Sequence, residues 1–300
     1  MLYFIGVSCA ILSGFVNFLG QILQKKAIND IKAKKGEMHI IDLIKSPTWL
    51  VGFLFMAVLT TAFLIVTQLF IGPALVPGLV ASGFIVLAIG SAKILGEKLK
   101  KEEYAAIAML ILAVLCLSFS KLVIVPDIGN FNDSAFNLRI GIVSGLLIAV
   151  WLTLFFIGKK SNKRKAIFIP LATAFPFIVA NIWMQPFLIT IGNLFSGQVD
   201  SFTLTLFFTA IAILAVTNSV GLIHTQTAMA SGNASIVIPM MQIPAQLSPI
   251  LIYFVVYALP APNFYSYILL AIAIILAIAA GFLLSKRQTE LEKLVAPTTS

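Results

Sequence analysis

The chain has 300 residues, of which 60% are apolar and 10% charged, with a formal net charge of +9 and a mean hydropathy of +1.05. Soluble domains hold about 45–50% apolar and about 25% charged residues, so one water-surrounded core cannot hide this much hydrocarbon, and lipid must be part of the solvent. The Lys and Arg residues stand in short segments between apolar runs, with no aromatic-interleaved basic face. That pattern marks membrane topology and argues against a nucleic-acid partner.

A hydrocarbon layer about 30 Å thick needs roughly 20 apolar residues in a helix, and backbone groups in lipid must bond within their own segment. The runs that meet this predict an all-α membrane protein of nine spans, at 2–23, 48–70, 74–96, 104–120, 139–157, 167–190, 202–226, 235–257 and 266–284. The first run lacks a basic leader and a small-residue cleavage pattern, so it predicts a retained helix. Between spans 1 and 2, Met38–Lys45 is amphipathic but too short to cross, which predicts a helix along the membrane surface. Cys9 and Cys116 lie in separate apolar runs, with no disulfide or zinc spacing, and serve as small packing residues.

Four basic segments fix the orientation. Lys25, Lys26, Lys32, Lys34, Lys35 and Lys45 follow span 1, and Lys98, Lys100 and Lys101 follow span 3. Lys159, Lys160, Lys163, Arg164 and Lys165 follow span 5, and Lys286, Arg287 and Lys293 follow span 9. With nine spans all four fall on one side, the cytoplasmic one, which places the N-terminus outside, the C-terminus inside and the chain in the plasma membrane. The other side receives only Lys121 and Arg139, with Asp127, Asp133 and Asp200.

Short echoes link the two halves. Val76-Pro77 in span 3 matches Ile238-Pro239 in span 8, Asn17-x-x-x-Gln21 in span 1 matches Asn181-x-x-x-Gln185 in span 6, and Thr67-Gln68 matches Thr225-Gln226. Paired spans run in opposite directions, so the pattern predicts an inverted repeat. Residues 1–121 form the first repeat, 122–165 a connector carrying span 5, 166–285 the second repeat, and 286–300 a cytoplasmic tail.

No Asp or Glu lies mid-span, which disfavours carboxylate-based proton or cation coupling. What remains is neutral. Asn17, Gln21, Thr60, Thr61, Asn181, Gln185, Asn218, Gln242 and Gln246 are the candidate substrate-binding residues, with Ser248 nearby, and ordinary interhelical bonding is the competing explanation for each. Residues four apart share a helix face, so each Asn/Gln pair is expected to point one way. Pro239 and Pro244 of span 8, with Pro249, match Pro77 and Gly83 of span 3, and predict discontinuous helices around a transport site with gating or structural roles. Pro170, Pro176 and Pro186 loosen span 6 in the same way, whereas Ala273, Ala277 and Gly281 of span 9 read as close packing. Glu97 and Lys93, one turn apart, predict a local ion pair at the inner end of span 3, and His224 a bonded interfacial residue.

No phosphate-binding loop, catalytic constellation, cofactor motif or metal-ligand cluster is present, so no enzymatic activity and no cofactor is expected.

Three runs carry a family resemblance: Gly20-x-x-Leu23-Gln24-Lys25-Lys26 closing span 1, Pro73-Ala74-Leu75-Val76-Pro77 opening span 3, and Leu95-Gly96-Glu97-Lys98-Leu99 closing it. Together with Asn233-Ala234-Ser235-Ile236-Val237-Ile238-Pro239, they resemble the drug/metabolite transporter superfamily, in its EamA-type or NIPA-type magnesium-transporter branches. The resemblance implies an inverted-repeat carrier and leaves the substrate open. The expected function is alternating-access transport of a small polar or amphiphilic metabolite. The rivals are divalent-cation transport and a non-transporting membrane scaffold. The expected partners are the bilayer and a small-molecule or ion substrate, with a homodimer as an allowed assembly.

Overall fold

The computed structural model describes residues 2–71, 76–122, 134–160, 165–197 and 200–295. Among these the chain is all-helical, and eight helices are long and apolar enough to cross a bilayer. They are α1 (Leu2–Lys35), span 2, α7 (Lys101–Phe119), α8 (Ser134–Lys160), α9 (Lys165–Phe195), α10 (Ser201–Met229), α11 (Ala234–Leu251) and α12 (Phe264–Val295). Span 2 is α3 (Pro47–Leu54), a π turn at Phe55–Leu59, and α4 (Thr60–Ile71). Large apolar side chains such as Leu146, Phe208, Ile275 and Phe282 stay exposed on these helices, as lipid-facing residues do. The protein is an integral membrane protein.

Span 3 departs from expectation. It is not one long helix but α5 (Val76–Val80) and α6 (Gly83–Lys93), and the apolar stretch Gly78–Lys93 is shorter than the eight others. Three-residue turns (Ser82 N–H to Leu79 O at 3.2 Å and Phe84 N–H to Ala81 O at 3.0 Å) replace regular helical bonds at the break. There α1 comes close. A Cβ placed on Gly83 would overlap the carbonyl of Gly14, and one on Gly14 would overlap that of Val80. Residues 74–75 of the expected span lie outside the described residues, as do Pro73 of the family-like run, Asp127, Asp133, Lys163 and Arg164.

The expected matching break in span 8 is absent. α11 stays helical through Pro239 and Pro244, and its irregularity is a π turn at Ile252–Val256, beyond Pro249. Pro249 cannot donate to the carbonyl of Ala245, and the Ser248 hydroxyl donates to it instead at 2.7 Å. Local repair keeps the helix intact.

Helix ends follow sequence signals. Ser46 accepts from Trp49 N–H with Pro47 in the first helical position, and Asp200 accepts from Thr203 N–H at 2.7 Å. Hydrogen bonding by the Thr203 side chain, and then by its backbone N–H, holds the Asp200 carboxyl below its usual pKa. Met38–Lys45 yields only the short helix α2 (Ile40–Ile44), with Ile40, Ile41 and Ile44 exposed. α1 and α12 outrun their apolar cores. With 34 residues, α1 is about 51 Å long against a hydrocarbon layer of about 30 Å, so its lysine-rich end projects beyond the membrane.

α1 packs against span 2 and span 3, α9 against α10 and α11, and α7 against α12, while α8 leans on α9. Gly20 and Gly52 face each other, a Cβ on either standing 2.6 Å from the other's carbonyl oxygen, which lets α1 and α3 approach closely. One core joins Phe18, Ile22, Phe84, Leu110, Ile236 and Ala277; a second sits between Phe136, Ile140, Ile178 and Val256. Ala273 and Ala277 are buried, as small packing residues should be.

Candidate functional site

Where α1, the π turn of span 2, α9, α10 and α11 converge, they line a cavity of about 310 Å³. Asn17 and Gln21 reach it from one face of α1, as their spacing predicts, and Gln242 reaches it from α11. Gln21 Nε2 donates to Asn17 Oδ1 at 2.5 Å, while Gln21 Oε1 is buried without a partner. Met56, Thr173, Phe177, Thr225 and Met241 complete much of the wall.

The other expected binding residues lie elsewhere. Asn181 is exposed on α9 and is not part of the lining. The track of α9 that faces the cavity is Thr173, Ala174 and Phe177. Asn181 lies one turn beyond Phe177, past the end of that track along the helix axis. Gln185, half-buried one turn further on, is likewise outside the lining. Thr60 Oγ1 donates to Phe55 O at 2.9 Å across the π turn, and exposed Thr61 to Ala57 O at 2.6 Å. Asn218 Nδ2 bonds Leu214 O at 2.8 Å on its own helix. Gln246 is half-buried next to the lining residue Ala245 but is not itself in the wall. His224 accepts from Trp151 Nε1 at 3.2 Å and stacks on Phe155, a bonded interfacial residue.

Below the cavity, toward the lysine-rich end of α1, the two halves are tied by polar bonds. Gln226 Nε2 donates to Gln24 Oε1 at 2.8 Å, and Trp49 Nε1 donates to Gln226 Oε1 at 2.9 Å. Lys25, 5% exposed, donates from Nζ to Met229 O at 2.5 Å and Gly232 O at 2.6 Å, and Lys32 donates to Ala230 O at 2.5 Å. These carbonyls close α10, where a helix end has unpaired acceptors and partial negative charge, so ammonium groups are well placed.

Glu97 treats the start of α11 in the opposite sense. Its expected partner Lys93 is exposed, and the carboxylate instead accepts from Ala234 N–H at 2.6 Å and Ser235 N–H at 2.9 Å. Asn233, at the N-cap of α11, makes no side-chain cap, so Glu97 supplies it from the other half of the chain. Gly96, at φ +69°, permits the sharp turn, and Glu97 N–H returns to Ser91 O at 2.9 Å.

Glu103 extends the cluster. It accepts from Lys100 N–H at 2.9 Å, from the Ser235 hydroxyl at 2.7 Å and from Arg287 Nε at 3.1 Å. Sequence reasoning read Lys25 and Arg287 as topology markers and Ser235 as part of a family-like run, and passed over Glu103. One signal was available: Lys100-Lys101-Glu102-Glu103 before an apolar run places an acid at the third helical position, where it caps the helix start. Nothing local marks Lys25 as buried.

No protein-family model, curated protein or solved structure matches the chain.

Proposed function

We propose that this protein is a multi-pass carrier that moves a small polar or amphiphilic solute across the bilayer by alternating access. The observation that carries the reading is the polar cavity of about 310 Å³ between elements of both halves, with cross-half bonds concentrated on one side of it. Gln24 and Lys25 lie about one turn beyond the lining residue Gln21, Gln226 and Met229 lie one and four residues beyond the lining residue Thr225, and Ala234 and Ser235 lie about two turns before Met241. The three helices thus agree on which end is tied, and the basic segments assign that end to the cytoplasm. Bonds between the halves on one side of a polar cavity are what one state of an alternating-access carrier would need.

In this reading span 3 counts as the ninth crossing, the N-terminus is outside and the membrane is the plasma membrane. The halves form an inverted repeat, and the chain is a relative of the drug/metabolite transporter superfamily. The neighbour pattern supports the repeat: α1 packs on spans 2 and 3 as α9 packs on spans 7 and 8, while α7 and α12, the last helix of each half, pack on each other. Divalent-cation transport has no observation in its favour. Among the described residues no three His, Cys, Asp or Glu side chains gather to hold a metal.

The test is uptake into proteoliposomes from a panel of metabolites and metal ions. Saturable uptake that falls in Asn17→Ala, with the variant still folded and inserted, is expected. Entry no faster than into protein-free liposomes for every solute contradicts the reading.

A further inference from the structure

The composition of the cavity wall specifies more than its size. None of its lining residues is ionisable; its polar members are the amides Asn17, Gln21 and Gln242 and the hydroxyls Thr173 and Thr225. An ion leaving water for such a place gives up hydration with no countercharge to offset the loss. The nearest buried charge on α1 is Lys25, one turn away, and its ammonium is engaged by the carbonyls of Met229 and Gly232. A charged solute therefore meets no complementary group.

The unused hydrogen-bonding capacity of the wall can also be read residue by residue. Thr225 spends its hydroxyl proton on Gly221 O at 2.9 Å, and Thr173 spends its own on Ile169 O at 2.9 Å, so both oxygens retain only accepting capacity. Gln21 spends Nε2 on Asn17 Oδ1, and its Oε1 stays buried with no donor near it. A buried acceptor without a partner is costly, and a ligand donor reached by a small rotation of the amide would satisfy it. Amide N–H groups of Asn17, Gln21 and Gln242 remain as donors, so the wall offers both acceptors and donors, which a hydroxyl group can serve at once.

We infer that the cavity binds an uncharged solute rich in O–H or N–H donors, of the polyol class, with Gln21 as its principal acceptor. The inference rests on the carrier reading for its purpose but not for its chemistry. The volume equals the share of on the order of ten water molecules, which suits a solute of about eight to twelve non-hydrogen atoms.

A matched set of probes tests this on the full chain: erythritol, its carboxylate erythronate, its fully O-methylated ether, and magnesium chloride. Binding is read as a rise in the thermal midpoint of purified protein, and transport separately as uptake into proteoliposomes. Erythritol should raise the midpoint and enter saturably, while the other three do neither. Gln21→Leu and Gln242→Leu, each first shown to elute and melt as a folded protein, should weaken erythritol binding about fivefold or more, the worth of one neutral hydrogen bond. Tighter binding of erythronate or magnesium, equal binding of the ether, or full erythritol binding by both variants would overturn the inference. So would the absence of any erythritol binding. Erythritol binding without uptake would instead sink the carrier reading and leave the ligand class standing. Saturable uptake of magnesium or erythronate alone would do the reverse.

Discussion

Glu97 and Ala234 stand 137 positions apart in the chain, yet a carboxylate oxygen of one accepts from the backbone N–H of the other at 2.6 Å. A charged acceptor at a helix start gains from both the bond and the helix dipole, and a hydrogen bond to a charged group is worth about 1.5–3 kcal/mol. The contact ties the end of span 3 to the start of α11, so it joins the two halves of the bundle.

Glu97→Gln keeps the shape and one acceptor oxygen but removes the charge, and only one of its two bonds to Ala234 and Ser235 N–H survives. A loss of about 1–3 kcal/mol is expected, measured as a lower thermal midpoint of the purified protein. Lys93→Ala should leave the midpoint unchanged, because Lys93 is exposed and the carboxylate faces α11. Equal losses in both variants would restore the local ion pair that the spacing suggested.

Arg287 and Glu103 form a pair with side chains only 6% and 1% exposed, which makes it costly to break and cheaper to remove whole. Arg287→Met strands Glu103 and should cost about 3–5 kcal/mol. Adding Glu103→Gln removes the stranded charge while keeping an acceptor for Lys100 N–H or the Ser235 hydroxyl, so the double variant should melt above Arg287→Met alone. A double variant as unstable as the sum of the singles would show that the two side chains do not act together.

Gly83 has no room for a side chain, because an added Cβ would overlap the Gly14 carbonyl and come within 2.5 Å of Phe18 Cδ2. Gly83→Ala should push span 3 away from α1 at a cost of about 1–3 kcal/mol, visible in the thermal midpoint. Gly141→Ala is the control, since nothing lies within 4 Å of a Cβ there.

The helices were legible in the sequence because lipid requires long apolar runs, and the eight long spans fall where those runs lie. Span 3 was not fully legible: Pro77, Gly78 and Gly83 announced a weak helix, but the site of the break depends on how Gly14 of α1 packs there. Asn17, Gln21 and Gln242 were found because polar side chains are costly in lipid and stand out. Asn181 stands outside the lining because spacing within a pair fixes a shared face but not how far along the helix the cavity extends. The bonds of Lys25 and Glu97 were hidden for a related reason. Both end on backbone groups, of α10 and α11, and backbone groups carry no signature in a sequence.

The most direct test of the carrier reading is the sidedness of the cavity itself. A single cysteine at Gln242, in a chain with Cys9 and Cys116 replaced by serine, can be probed with a small impermeant thiol reagent applied to either face of oriented vesicles. With the cross-half bonds intact, modification should be faster from the outside, because in the carrier reading the bonds of Lys25, Gln226 and Glu97 hold the inner end closed. Adding Lys25→Met and Glu97→Gln should raise the rate from the inside and lower it from the outside. Modification from neither face in both proteins, or from both faces at unchanged rates, would contradict a cavity whose access alternates.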